Sequence, residues 1–158
     1  MSRSFLYDTW AFIALVDSRD PGHGLAVELD HELERNGFSP ITTDYIVGET
    51  LTFVHASVGA RGSLAFLDVL EDRLDASDIR LVEIGAARRA RALEIFLRLA
   101  PAEPKLSFTD ATSFAVMAEL GVEHAFTADR HFHRAGNGIA PLVERKGARL
   151  IARSVRGT

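Results

Sequence analysis

The stretch "SFTDATSFAVMAELGVEHAFTADRHF", Ser107 to Phe132, decides how this chain folds. Its first half, "TDATSFAVMAELG", reads as a helix, and "VEHAFTAD" reads as a strand. One acid, Asp110, opens the helix, and another, Asp129, ends the strand. Each has an ordinary local explanation. Ser107-Phe108-Thr109-Asp110 fits the S-x-x-D form of a capping box, and an aspartate after a strand stabilises a turn. Whether the two acids do more depends on what the remaining chain brings to the same place.

Upstream, "SFLYD" (Ser4 to Asp8) reads as a short buried strand ending in an acid, and "TWAFIALVD" as a helix. Leu25, Leu29 and Leu33 fall at i, i+4 and i+8 with acids between them, the pattern of an amphipathic helix. Asn36-Gly37 closes it, and "FSPITT" (Phe38 to Thr43) is a second strand. Ile46, Val47, Leu51 and Val54 mark a helix stopped at Gly59, and Leu64, Leu67, Leu70 and Leu74 mark the next. "DIRLVEI" carries apolar residues on both faces, as a covered strand does. "AARRARALEIFLRLA" is a helix, and "PAEPK" is a loop leading into the opening stretch. Beyond that stretch, "RHFHRAGNG" is a loop or short helix and "ARLIARS" a last strand. Strands separated by helices imply crossover connections and a parallel sheet covered on both faces. No linker or repeat divides the chain, so a single α/β domain over residues 1–158 is expected.

The bulk composition agrees with a globular domain. The 158 residues are 47% hydrophobic and 25% charged, enough for one sizeable core. No apolar run is long enough for a membrane span, and "MSRSFLYD" lacks the pattern of a signal peptide; the cytoplasm is the expected location. The chain has no Cys, which excludes disulfides, thiol catalysis and thiolate metal sites. The net charge is −4, but the basic residues are unevenly spread. Arg88, Arg89 and Arg91 cluster on one segment, and Arg130, Arg134, Arg145, Lys146, Arg149, Arg153 and Arg156 load the C-terminal part. Arg suits phosphate contacts, although such patches are commonly solvated surface.

In an open parallel sheet the strand C-termini share one edge, where ligands bind. Asp8 ends the first strand and interrupts an apolar junction, where a lone buried carboxylate is costly. Glu49 lies among apolar residues one to two turns into the helix after the second strand. Asp110 and Asp129 complete a set of four acids that this topology brings to one rim. Asp44 is read as a helix N-cap instead. Acids forced together repel and need a cation, and oxygen ligands point to Mg²⁺ or Mn²⁺.

"FLYDTWAFIALVD", "TTDYIVGETL" and "SFTDATSFAVMAELGVEHAFTADRHF", in that order and covering nearly the whole chain, resemble the PIN domain, and specifically the VapC-type toxin ribonucleases of toxin–antitoxin pairs. The "SFTDA" helix followed by "DRHF" is the most specific part of the resemblance. The family's four acids match Asp8, Glu49, Asp110 and Asp129, and its polar helper positions match Thr9 and Thr127. Trp10 departs from the small or polar residue usual after the D-T pair. The resemblance implies a three-layer α/β/α sandwich with a central parallel sheet and Mg²⁺- or Mn²⁺-dependent cleavage of single-stranded RNA (tRNA, rRNA or mRNA). It also implies a homodimer and a cognate VapB-like antitoxin. Arg130 and Arg134, close behind Asp129, are the candidates for contacts to RNA phosphates.

Other readings compete. A haloacid-dehalogenase phosphatase would carry D-x-D-x-T at the first strand, and Trp10 stands where its second Asp belongs. A receiver domain needs a Lys after a late strand, and Lys105 and Lys146 are poorly placed for it. Within the PIN fold, an RNA-processing nuclease without an antitoxin and an inactive RNA- or protein-binding domain remain as alternatives. An inactive domain would be expected to lose at least one of the four acids. His131 and His133 read as facing solvent or phosphate, His55 as helix surface, and Leu64, Leu67 and Leu74 as core or dimer packing.

Overall fold

A computed structural model describes residues 3–134, 140–146 and 149–153, the side chains of His133 and Arg134 excepted. The chain opens with β1 (Ser4–Tyr7), α1 (Thr9–Val16), α2 (His23–Arg35) and β2 (Ser39–Thr43), followed by α3 (Asp44–Val58), α4 (Ala60–Asp75) and β3 (Arg80–Val82). Then come α5 (Ala86–Leu99), α6 (Phe108–Leu120), β4 (His124–Phe126), α7 (His131–Arg134), β5 (Ala140–Pro141), β6 (Val143–Lys146) and β7 (Arg149–Ala152). The five strands of the main sheet lie in the order β3-β2-β1-β4-β5, all parallel. Helices cover the sheet to make a three-layer α/β/α sandwich. No helix among the described residues is long and apolar enough to cross a membrane.

The central strand explains the architecture. Phe5, Leu6 and Tyr7 of β1 are buried on both faces of the sheet, so they are apolar without alternation, as a doubly covered parallel strand requires. Tyr7 stacks on Phe12 of α1 at 5.0 Å and packs against Phe126 of β4 at 5.3 Å. Helix α6 is the most deeply buried, with every residue from Asp110 to Met117 inside. It ends at Gly121, whose φ of 65° supplies the left-handed cap that only glycine adopts without cost. Trp10 leaves the rim and turns inward, with its ring 6.1 Å from that of Phe126. Gly22 gives it room, since a Cβ there would stand 2.8 Å from Trp10 Cζ2.

Several expectations need correction. "DIRLVEI" is not covered on both faces: β3 is a three-residue edge strand with Leu81 exposed. Asp44 is not the N-cap of α3. Thr43 is, its Oγ1 accepting from the Ile46 N–H at 3.1 Å, while Asp44 Oδ1 accepts from the Ile84 N–H at 2.9 Å and ties α3 to the chain after β3. In α4 Phe66 and Leu70 are buried and Leu74 packs against the core, whereas Leu64 is exposed and is not a core position. The described part of "ARLIARS" forms β7, which pairs antiparallel with β6 outside the main sheet. Arg156 and the ends of that segment lie outside the described residues.

Candidate active site

Parallel strands end together, and the acids follow them. Asp8 directly follows β1 and is the N-cap residue of α1. The residue is 4% exposed, and its carboxylate accepts a hydrogen bond from Thr127 Oγ1 at 2.7 Å, just past β4. That same Thr127 oxygen accepts from the Asp129 N–H at 3.0 Å. One buried hydroxyl therefore holds the first acid and the turn that carries the fourth. Thr9 Oγ1 donates to Glu49 Oε2 at 2.5 Å, which draws α3 to the start of α1. Asp110 caps α6 as its local sequence requires. Its backbone N–H donates to Ser107 Oγ at 3.0 Å, and its Oδ2 accepts from the Ser107 N–H at 3.2 Å. The cap uses Oδ2, and no hydrogen bond to Oδ1 is found among the described residues.

The electrostatics show that the acids feel one another. Burial is the main cause that pushes the Asp8 carboxyl up to about 7, and the charges of Asp110 and Glu49 add to it, while the Thr127 hydrogen bond pulls the other way. Asp110 is pushed up to about 6, again mainly by burial, with Asp129 and Glu49 adding like charge. Among the described residues, no Lys or Arg forms an ion pair with any of the four. With Asp8 and Asp110 buried, Glu49 and Asp129 partly so, like charges adding to one another and no Lys or Arg paired to them among the described residues, this set resembles a cation site more than a structural ion-pair network.

Of the two directions expected for His131, solvent or phosphate, open solvent is corrected: its side chain is only 15% exposed. Its Nδ1 lies 3.0 Å from Asp129 Oδ1 and 3.8 Å from Asp110 Oδ2, and its Nε2 lies 3.5 Å from Glu103 Oε2. Asp110, Asp129 and His131 offer ligand atoms within 4.8 Å of one another. The reason is local: Asp129 Oδ1 accepts from the His131 N–H at 2.9 Å, and that turn starts α7 with the ring folded back on the acid. The D-x-H spacing was visible in the sequence, but its direction was not. His55 is exposed as expected. Arg130 is exposed and, with Asp129 and Arg145, lines a groove of about 450 Å³ beside the rim. The side chains of Arg134 and His133 lie outside the described residues.

Comparison with known proteins agrees with this geometry. Residues 5–138 match the PIN domain. The 23S rRNA-specific endonuclease VapC20, in two strains of Mycobacterium tuberculosis, is 32% identical over 129 residues, which cover 82% of this chain and 92% of the relative. The crystal structure of Mycobacterium tuberculosis VapC20, a sarcin–ricin-loop-cleaving toxin, superposes with a TM-score of 0.72 and 30% identity, covering 84% of this chain and 95% of that one. VapBC2 from Rickettsia felis, bound to a DNA fragment from its promoter, shares the fold with a TM-score of 0.62 at 13% identity, covering 87% of this chain and 98% of that chain. With matches of this extent, the chain belongs to the PIN domain family and, within it, to the VapC type.

Proposed function

We propose that the chain is one PIN domain over residues 1–158 that acts as a metal-dependent endoribonuclease toxin. Asp8, Glu49, Asp110 and Asp129 are its catalytic, metal-holding acids, and Thr9 and Thr127 their supporting hydroxyls. The observation that carries this reading is the convergence of the four acids on one rim with no Lys or Arg paired to them among the described residues. The donor set fits a hard divalent ion, Mg²⁺ or Mn²⁺, because carboxylate oxygens dominate it. When bound, such an ion activates water near neutral pH and neutralises charge on the leaving oxygen. The protein's own part is positioning. Thr127 orients Asp8 and Asp129, Thr9 orients Glu49, and the Ser107 cap orients Asp110.

Single-stranded RNA is the proposed substrate, with Arg130 contacting phosphates along the groove that Arg145 also lines; the contact expected of Arg134 falls on a side chain outside the described residues. The 32% identity to an rRNA endonuclease supports RNA over DNA. A VapB-like antitoxin and a second copy of the chain are the proposed protein partners, in the cytoplasm. Leu93 and Leu97 support a covered face, since they lie one turn apart on α5 and are 50% and 65% exposed.

Hydrolysis by water with the 3′-oxygen leaving yields a 5′-phosphate and a 3′-hydroxyl. Mapping product ends on an RNA pool, with and without EDTA, tests the reading. Cyclic phosphate ends, or cutting that survives EDTA, would overturn it.

A further inference from the structure

The His131 ring fills the gap between the acid rim and the loop joining α5 to α6. Its side chain is 15% exposed, and that of Glu103 is 12% exposed. Building on the divalent-ion reading above, we infer that His131 Nδ1 is a nitrogen ligand of the ion, with Glu103 as the outer carboxylate that holds the ring in place. The ion is then bound by a mixed nitrogen and oxygen set.

Three observations support this. First, two ligand atoms bound side by side at about 2.1 Å in an octahedron stand about 3.0 Å apart, and Nδ1 lies 3.0 Å from Asp129 Oδ1. Second, the ring runs from carboxylate to carboxylate. Nδ1 lies 3.0 Å from Asp129 Oδ1 and 3.3 Å from Asp129 Oδ2, and Nε2 lies 3.5 Å from Glu103; with the proton on the Glu103 side, the Nδ1 lone pair faces Asp129 and Asp110. A neutral ring so turned opposes its lone pair to two carboxylate oxygens unless a cation lies between them. This is the carboxylate–histidine–metal order common to protein metal sites. Third, the ring is built in. The His131 N–H is fixed on Asp129 Oδ1. The next residue, Phe132, is fully buried with its ring edge-on to Phe114 of α6 at 5.0 Å. That contact locks the α7 turn to the helix that carries Asp110.

An imidazole ligand moves the preference of an oxygen site away from Mg²⁺ and towards Mn²⁺ and later first-row ions. If Nδ1 instead carries the proton and donates it to Asp129, His131 is a positioning residue only and the preference does not move.

Electron spin-echo modulation of Mn²⁺ bound to the full chain separates the two. A directly bound ring produces ¹⁴N modulation, which changes to the ¹⁵N pattern in protein grown on ¹⁵N-histidine. His131→Asn should lose the modulation and should weaken Mn²⁺ binding about 10-fold more than Mg²⁺ binding. Glu103→Gln should keep the modulation while weakening Mn²⁺ binding about 10-fold. The isotope substitution leaves the protein unaltered, so it answers even if His131→Asn fails to fold. Mn²⁺ bound without histidine modulation, or modulation surviving in a folded His131→Asn protein, overturns the assignment and leaves the divalent-ion reading intact. No Mn²⁺ binding by the wild type overturns both.

Discussion

Tyr7 and Asp8 are neighbours in the chain, yet they feed two polar clusters built on opposite terms. Tyr7 Oη accepts a hydrogen bond from Arg73 Nη1 at 2.9 Å, and the Arg73 guanidinium stands 5.0 Å from the centre of the Tyr7 ring. Arg73 also pairs with Asp30 at 3.6 Å. These groups adjoin a cavity of about 650 Å³ at the strand starts, where Ser4, Ser39 and Arg80 lie. Burial raises the Asp30 carboxyl, but the nearby Arg73 pulls it back. Around Asp8 the neighbouring charges are Asp110 and Glu49, which push its carboxyl further up. One cluster balances its charge with an arginine of its own chain, and the other has no Lys or Arg paired to it among the described residues, only His131 at its edge. An arginine in one place and none in the other is the contrast on which the proposed cation site rests.

The largest effect that could break this contrast is on activity. Asp8→Asn should lower RNA cleavage by roughly 10²- to 10³-fold, the scale of losing one group that stabilises charge in the transition state. The same change should raise the melting temperature in EDTA, because it removes a buried charge with no basic partner. A fall in melting temperature alongside the loss of activity would make Asp8 an ordinary structural acid.

Stability against pH tests the same point without activity. Asp8 titrates near 3.8 in the unfolded chain and about 7 in the fold. Between those values the unfolded chain has released a proton that the native state keeps. Metal-free stability should therefore fall as pH rises from about 4 to about 7 and then level off. Asp110, pushed up to about 6, adds to the same slope. Stabilisation by Mn²⁺ should be larger at pH 8 than at pH 5, since protons and the ion compete for the same carboxylates. Chemical denaturation across that range would reveal the slope, and a flat profile counts against both acids.

The balanced cluster should respond in reverse. Arg73→Leu strands Asp30 and removes the donor to Tyr7, and should cost roughly 2–3 kcal/mol. That is less than for a fully buried pair, because both side chains are about a quarter exposed. Cleavage per folded molecule should stay within about 2-fold of wild type, a change too small for a lost transition-state contact.

The acid cluster was much easier to read from sequence than the balanced one. Asp8 breaks an apolar strand-to-helix junction and Glu49 breaks an apolar helix face, so each announces a cost that needs a reason. Arg73 is one charged residue among many on an amphipathic helix, and its partner Tyr7 lies 66 residues away. Nothing local links the two. The strand β5 escaped notice because Ala140 and Pro141 are too few to show alternation. The edge position of β3 follows from sheet order, a long-range property. Spacing alone does not say where a ring turns, so the sequence leaves His131 facing solvent or phosphate, and Glu103 sits in a loop whose shape is set by tertiary contacts. Helix α6 was legible as a helix from its Ser107 to Asp110 capping pattern, while its full burial, polar Thr112 and Ser113 included, follows from its place in the fold.

Thr127 offers the smallest and sharpest test, because its hydroxyl joins two of the acids. It donates to Asp8 Oδ2 and accepts from the Asp129 N–H. Thr127→Val keeps the shape and the β-branch but removes both bonds. The lost donor leaves Asp8 with less support for its charged form, so that carboxyl should rise further, and the Asp129 turn should loosen. The expected cost is about 10-fold in cleavage, the lower end for a residue that holds a ligand rather than being one. Stability should fall by about 1 kcal/mol, the usual net value of a hydrogen bond. The acid limb of the pH–rate profile should also move to higher pH, a change that simple loss of packing would not cause. Thr127→Ser restores the hydroxyl and should recover most of the rate and the original profile. If Val and Ser behave alike, Thr127 contributes packing alone, and the link between Asp8 and Asp129 does not depend on its oxygen.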